Sequence, residues 1–141
     1  LYSKRARSAV LAARDVIREK GFAGDAKGMR AFRRASPQLL DPATLSSLTR
    51  FMDYYSLNMY RDLLFHVQET NYTLPEIDAL LKSLQLEFLG FFIDPAILES
   101  YGRAFPQDVK KTDLASWHTY EEKNLSTFAA MYVFWCRKPL K

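Results

Sequence analysis

The chain has a single cysteine, Cys136, in 141 residues. No disulfide can close within it, and no Cys/His zinc spacing exists. A reducing, cytoplasmic setting is the expectation that follows. No run of about eighteen apolar residues occurs, so no membrane-spanning helix is expected, and the first residues show no apolar signal-like core. Glycine is scarce: Gly21, Gly24, Gly28, Gly90 and Gly102 are all there is, and they make no G-x-G spacing. The two histidines, His66 and His118, are far apart with no carboxylates spaced to match, so no metal site is expected. No Ser/His/Asp order, phosphate loop or carboxylate pair is visible. No internal repeat, low-complexity segment or dividing linker is visible either.

What is present suits one folded domain. The composition is 48% hydrophobic and 26% charged, far from a disordered chain. The net charge of +4 is uneven: residues 1–50 hold eleven Lys/Arg against four Asp/Glu, and residues 51–141 hold nine against twelve. A basic first third attracts anions in general. Arg7, Arg14 and Arg18 nevertheless recur opposite an apolar stripe of Val10, Ala13 and Ile17, which reads as the solvated face of an amphipathic helix. No aromatics interleave with the basic residues, so nucleic acid is not the expected partner.

Helix signals dominate. Ser3 is placed to cap a helix to about Lys20, closed by Gly21. Asp25 starts a second over 26–35, which Ser36-Pro37 should end. Asp41-Pro42 starts a third, with Leu45, Leu48, Phe51 and Met52 as its buried stripe. Ser56 starts a fourth over 57–65. Thr73-Leu74-Pro75-Glu76 has the pattern of a capping box, and Ile77, Leu80, Leu81 and Leu84 follow as an inward face. Asp94-Pro95 opens the next helix, and a last one spans 113–124. About six or seven helices are predicted.

Two segments read as strands, Leu86 to Ile93 and Met131 to Cys136. Neither alternates apolar with polar residues, so each is predicted to be covered on both faces, with Cys136 a small buried hydrophobe. A two-stranded sheet buried on both faces needs further strands beside it. The chain also begins at Leu1-Tyr2, without methionine. The expectation is a mostly helical α+β chain with a C-terminal antiparallel strand pair, forming the C-terminal part of a larger α/β protein.

The segments Tyr60-Arg61-Asp62-Leu63-Leu64-Phe65-His66-Val67-Gln68-Glu69, Tyr72-Thr73-Leu74-Pro75, Leu86-Glu87-Phe88-Leu89-Gly90-Phe91 and Phe128-Ala129-Ala130-Met131-Tyr132-Val133-Phe134-Trp135 are more specific. Together they resemble the C-terminal region of bacterial class I S-adenosylmethionine-dependent methyltransferases, of the kind often joined to tetratricopeptide repeats. The resemblance covers essentially the whole chain. It implies a Rossmann-like sheet whose last strand is inserted antiparallel beside its neighbours. Leu1-Tyr2-Ser3 would be the tail of the fifth strand, Leu86 to Ile93 the sixth and Met131 to Arg137 the seventh. It implies the division 1–24 (strand end and first helix), 25–72 (helical insertion or lid) and 73–141 (last two strands with helices). The Gly-rich turn that holds the family's cofactor is missing. S-adenosylmethionine is therefore expected in the parent protein and not on this chain alone, and the main partner implied is the N-terminal, cofactor-binding half.

Arg61, Asp62, His66, Gln68, Glu69 and Tyr72 form the densest polar cluster, at a helix-to-loop junction where functional groups gather. Asp62 and His66, four apart, share a helix face, and His66 suits proton transfer near neutral pH. These six are the candidate substrate-binding residues; the alternative is surface pairing and helix capping. Trp117, His118, Tyr120, Glu121 and Glu122 are a second cluster, with packing on the terminal strand as the alternative. Tyr54 and Tyr55 line a pocket or anchor the insertion. The rival to the methyltransferase reading is a helical interaction module, docking a partner or forming a homo-oligomer through an exposed strand edge or its helices.

Overall fold

Helix boundaries follow the capping residues closely. The computed structural model describes residues 1–65 and 68–139. It separates into two units, Arg7–Glu69 and a second formed by Leu1–Ala6 with Thr70–Lys141. The first helix falls in the unit Arg7–Glu69, with nearly all of the segment 25–72. Among the described residues there are seven α-helices and a C-terminal antiparallel strand pair.

The unit Arg7–Glu69 is all helical. Helix α1 (Ser8–Lys20) ends at Gly21, whose φ of 70° is the left-handed turn that glycine adopts without strain. It starts four residues later than the Ser3 cap implies: Ser3 Oγ does accept from the Ala6 amide, at 3.1 Å, but residues 4–7 form turns and the α-helix begins at Ser8. Helix α2 (Ala26–Leu39) is capped by Asp25, whose Oδ1 accepts from the Gly28 amide at 2.7 Å. It runs through Pro37 instead of stopping before it. Proline cannot supply the amide that the Arg33 carbonyl expects. The Ser36 hydroxyl donates to that carbonyl instead, at 2.9 Å, so the helix continues for its last turn. Helix α3 (Pro42–Leu48) is capped by Asp41, which accepts from the Thr44 amide at 2.9 Å. Leu48 is buried, but Met52 is exposed, because α3 has ended and Met52 opens a separate 3₁₀ turn, Met52–Tyr54. The predicted fourth helix is α4 (Leu57–Tyr60) continuing into a π-helical turn, Arg61–Phe65. Val10, Ala13, Ile17, Met29, Phe32 and Leu48 form the core with Tyr54 and Tyr60.

In the second unit, β1 (Tyr2–Ser3) pairs in parallel with β2 (Asn71–Tyr72). Helix α5 (Leu74–Ser83) begins with the expected capping box: Glu76 Oε2 accepts from the Thr73 amide at 2.6 Å. Its Leu74, Ile77 and Leu81 are buried, while Leu84 lies past the helix end and is exposed. Strand β3 (Glu87–Phe91) pairs antiparallel with β4 (Phe134–Arg137). Helices α6 (Pro95–Ala104) and α7 (Leu114–Lys123) start at Asp94 and Asp113, which accept from the Ala96 and Ala115 amides. The core is aromatic. Trp117 stacks on Tyr101 at 3.7 Å between ring centres, and Phe91 packs against Trp117 and Phe128.

The strands are not covered on both faces within this chain. The register shifts between Phe88 and Gly90, and Gly90 takes φ 136°, which side chains other than glycine avoid. This bulge puts Phe88 and Phe91, three apart, on one side. Within this chain the absence of alternation in Leu86 to Ile93 thus goes with a bulge, and Leu89 and Phe92 are exposed. From Met131 to Trp135 the chain does alternate: Tyr132 and Phe134 face the core, while Met131, Val133 and Trp135 are exposed, Trp135 at 68%. Cys136 is exposed too, contrary to its expected burial. Ahead of β4, residues 130–132 run antiparallel to Leu1–Ser3 through a Tyr2–Met131 bridge. The Ser3 amide donates to the Ala130 carbonyl at 3.0 Å and the Tyr132 amide to the Leu1 carbonyl at 2.7 Å. Among the described residues no helix is long and apolar enough to cross a membrane.

Candidate functional site

Three polar constellations are built into the two units. The first lies in the helical unit. Arg7, just before α1, and Arg14, two turns along it, share a helix face. Arg7 Nε and Nη2 donate to Glu69 Oε1 and Oε2 at 3.0 and 2.5 Å, and Arg14 Nη2 donates to Glu69 Oε2 at 2.9 Å. Arg14 also donates through Nε and Nη2 to the Leu63 carbonyl in the π turn, at 3.1 and 2.7 Å. The Glu69 side chain is only 5% exposed. Burial pushes its carboxyl up, but the hydrogen bonds and charges of Arg7 and Arg14 outweigh that and hold it below the ordinary 4.5. Arg7 and Arg14, read from sequence as a solvated face, are thus buried partners of a carboxylate; Arg18 is the solvated one.

The second constellation is aromatic and cationic. The Arg33 guanidinium on α2 sits over the Tyr60 ring at 4.3 Å and near the Tyr54 ring at 5.6 Å. Tyr54 and Tyr60 meet edge to face at 5.2 Å. The Ser36 hydroxyl, which donates to the Arg33 carbonyl, lies 3.1 Å from the Tyr54 hydroxyl and accepts from it. Burial and the neighbouring Tyr54 push the Tyr60 phenol far above its usual value, with only partial opposition from Arg33. Tyr60 therefore stays protonated.

The third constellation lies in the sheet-bearing unit. Glu121 on α7 is fully buried and receives the Ser3 hydroxyl at 2.9 Å on Oε1 and the Tyr132 hydroxyl at 2.9 Å on each oxygen. Ser3 Oγ in turn accepts from the Ala6 amide at 3.1 Å. Burial, followed by the Glu121 carboxylate, pushes the Tyr132 phenol well up, against the Ser3 bond. These bonds tie β1, α7 and the last strand together. A nearby structural pin has Asp108 accepting from Tyr101 at 2.6 Å and from the Thr112 and Asp113 amides.

The predicted six-residue cluster is dispersed. Arg61 and Asp62 are exposed on the π turn, and Gln68 is exposed. Glu69 is held by Arg7 and Arg14. Tyr72 belongs to the other unit, in β2, where it packs on the aromatic core. His66 lies outside the described residues. In the second cluster Trp117 and Tyr120 are core, Glu121 is buried with Ser3 and Tyr132, and Glu122 pairs on the surface with Arg5 at 3.0 Å. His118 is half-buried on α7. Tyr54 is buried and Tyr55 exposed.

Sequence reasoning missed Ser3, Arg7, Arg14, Arg33 and Tyr132. Only the seven-residue spacing of Arg7 and Arg14 signalled a shared task; the others gain their meaning from partners distant in sequence. Among the described residues no three His, Cys, Asp or Glu side chains gather as metal ligands would. No protein-family model matches the chain, and no curated protein matches it either.

Proposed function

We propose that the chain is the C-terminal, substrate-facing portion of an S-adenosylmethionine-dependent methyltransferase, with the cofactor-binding half elsewhere in the same protein. The observation that carries this reading is the placement of residues 130–137. They run antiparallel beside Leu1–Ser3 through the Tyr2–Met131 bridge and then antiparallel beside Glu87–Phe91. An inserted antiparallel last strand is what the sequence resemblance implies. The exposed apolar side chains of Leu89, Phe92, Val133 and Trp135 add support, because such a face suits coverage by the helices of a complete α/β sheet. Methyl transfer asks little acid–base chemistry of side chains and much of positioning. Arg61 and Asp62, exposed in the helical unit, are the members of the predicted set open to an acceptor.

Calorimetric titration of S-adenosylmethionine tests the reading. The expected result is no binding to residues 1–141 alone and saturable binding to the longer protein. An intact, folded longer protein that ignores the cofactor would sink it.

The same exposed face favours a second reading, an interaction module without catalysis. Among the described residues, β3 pairs only with β4 and leaves its other edge open. Sedimentation of the 141-residue chain separates the two: a self-associating chain that Trp135→Ser returns to monomer, beside a longer protein without cofactor binding, is the outcome of the second reading alone.

A further inference from the structure

We propose that Arg33, with the Tyr60 hydroxyl, forms a binding site for the carboxylate group of a small organic acid. Two other arginines in the same unit show how this side chain is used there. Arg7 sets Nε and Nη2 against the two oxygens of Glu69, and Arg14 sets the same pair against the Leu63 carbonyl. Arg33 also turns Nε and Nη2 inward, where both are buried, yet neither makes a well-aligned hydrogen bond to a described protein residue; among these residues, the polar side chain acting on the guanidinium is the Tyr60 hydroxyl beside it. The buried Tyr60 hydroxyl likewise makes no well-aligned hydrogen bond among the described residues, and its phenol hydrogen is left to donate. Attraction to the faces of Tyr60 and Tyr54 holds the guanidinium in place without using its N–H groups.

The pattern of donors selects the ligand. Two parallel N–H groups match the two oxygens of a carboxylate, and the Tyr60 phenol supplies a third donor. Five of the seven acids in the segment 7–69 are engaged: Glu69 with two arginines, Asp25 and Asp41 in helix caps, Asp15 with Arg18 and Glu19 with Lys20; Asp53 and Asp62 bond neither to Arg33 Nε or Nη2 nor to the Tyr60 hydroxyl. The segment 7–69 holds ten Lys/Arg against seven Asp/Glu, so it favours an anion. One guanidinium between phenol rings suits a singly charged acid with an apolar body better than a phosphate dianion, which draws on more than one cation. Arg33 as a whole is half-buried, so the site lies near the surface. This inference is independent of the methyltransferase reading.

The test uses the 141-residue chain and sodium benzoate, with sodium phosphate and sodium chloride at matched ionic strength. The readout is the ¹H–¹⁵N signal of the Arg33 Nε–H group, assigned through its side-chain carbons. Benzoate should move it saturably while the Arg7 and Arg14 signals stay in place; phosphate and chloride should give no saturable change. Tyr60→Phe should weaken the affinity about tenfold through loss of one donor to a charged group, and Arg33→Lys at least as much. No saturable shift with benzoate, or the same shift with chloride, would overturn the site and leave water as the partner of these donors. A saturable response to phosphate alone would overturn the carboxylate assignment. Should Arg33→Lys fail to fold, the wild-type titrations and Tyr60→Phe still decide.

Discussion

Glu69 is the side chain on which most charge converges. Replacing it with Gln leaves Arg7 and Arg14 buried without a counter-charge, and removing one partner of a buried pair is costly. Glu69→Gln should lower unfolding free energy by about 3 kcal/mol in urea titrations at pH 7. The sign of the pH effect follows from the direction of the shift. The folded-state pKa of Glu69 is depressed, so its stabilisation is complete above the unfolded value near 4.5 and is lost as pH falls through the folded value. The difference between wild type and Glu69→Gln should therefore shrink below about pH 4.5, and a constant difference down to pH 2 would contradict the ion-pair account. The two tryptophans offer a second residue-level check. Trp117 is buried against Tyr101 with its Nε1 donating to the Lys111 carbonyl at 2.9 Å, whereas Trp135 is mostly exposed. Trp135→Phe should leave a blue-shifted emission that acrylamide quenches weakly, and Trp117→Phe a red-shifted one quenched strongly.

At the scale of elements, Gly28 shows where a general rule reverses. Exchanging glycine for alanine inside a helix normally gains about 1 kcal/mol. In α2 a Cβ at Gly28 would lie 2.1 Å from the Ala23 carbonyl oxygen, a backbone atom with little freedom to yield. Gly28→Ala should instead lower stability by about 2 kcal/mol, seen as a fall in the thermal midpoint; a rise would show that the 22–25 turn relaxes easily. Helix starts were legible because a cap and a first-turn proline act within four residues: Asp25, Asp41-Pro42, Thr73 to Glu76 and Asp94-Pro95 all start helices where the sequence places them. Failures arose where a distant or sideways partner intervened. The Ser36 hydroxyl takes up the carbonyl that Pro37 leaves open, the turns at 4–7 delay the first helix past the Ser3 cap, and the Gly90 bulge breaks the alternation of β3. The candidate site was least legible. Arg33, Tyr54 and Tyr60 meet only where α2 packs against the 3₁₀ turn Met52–Tyr54 and α4, and no local pattern marks such a meeting.

At the scale of the whole molecule, each unit closes on itself. The helical unit begins at Arg7 and ends at Glu69, and those two residues grip one another. In the other unit, β1 pairs with β2 directly, Tyr2 with Asn71 and Ser3 with Tyr72, and the Lys4 amide donates to the Tyr72 carbonyl at 2.8 Å. The sheet-bearing unit thus carries its own pairing across the gap in sequence. Replacing residues 7–69 with a flexible Gly/Ser linker of about eight residues should leave it folded. The check is a cooperative thermal transition with the buried Trp117 emission retained; loss of both would show that this unit depends on the helical one.

A grip between the first and last residues of a segment also bears on how the protein changes over time. With Arg7 and Glu69 paired, like the opening and closing marks of a parenthesis, a change in the length of an exposed loop between them leaves both ends of the segment side by side, so the pairing of Tyr2–Ser3 with Asn71–Tyr72 keeps its register.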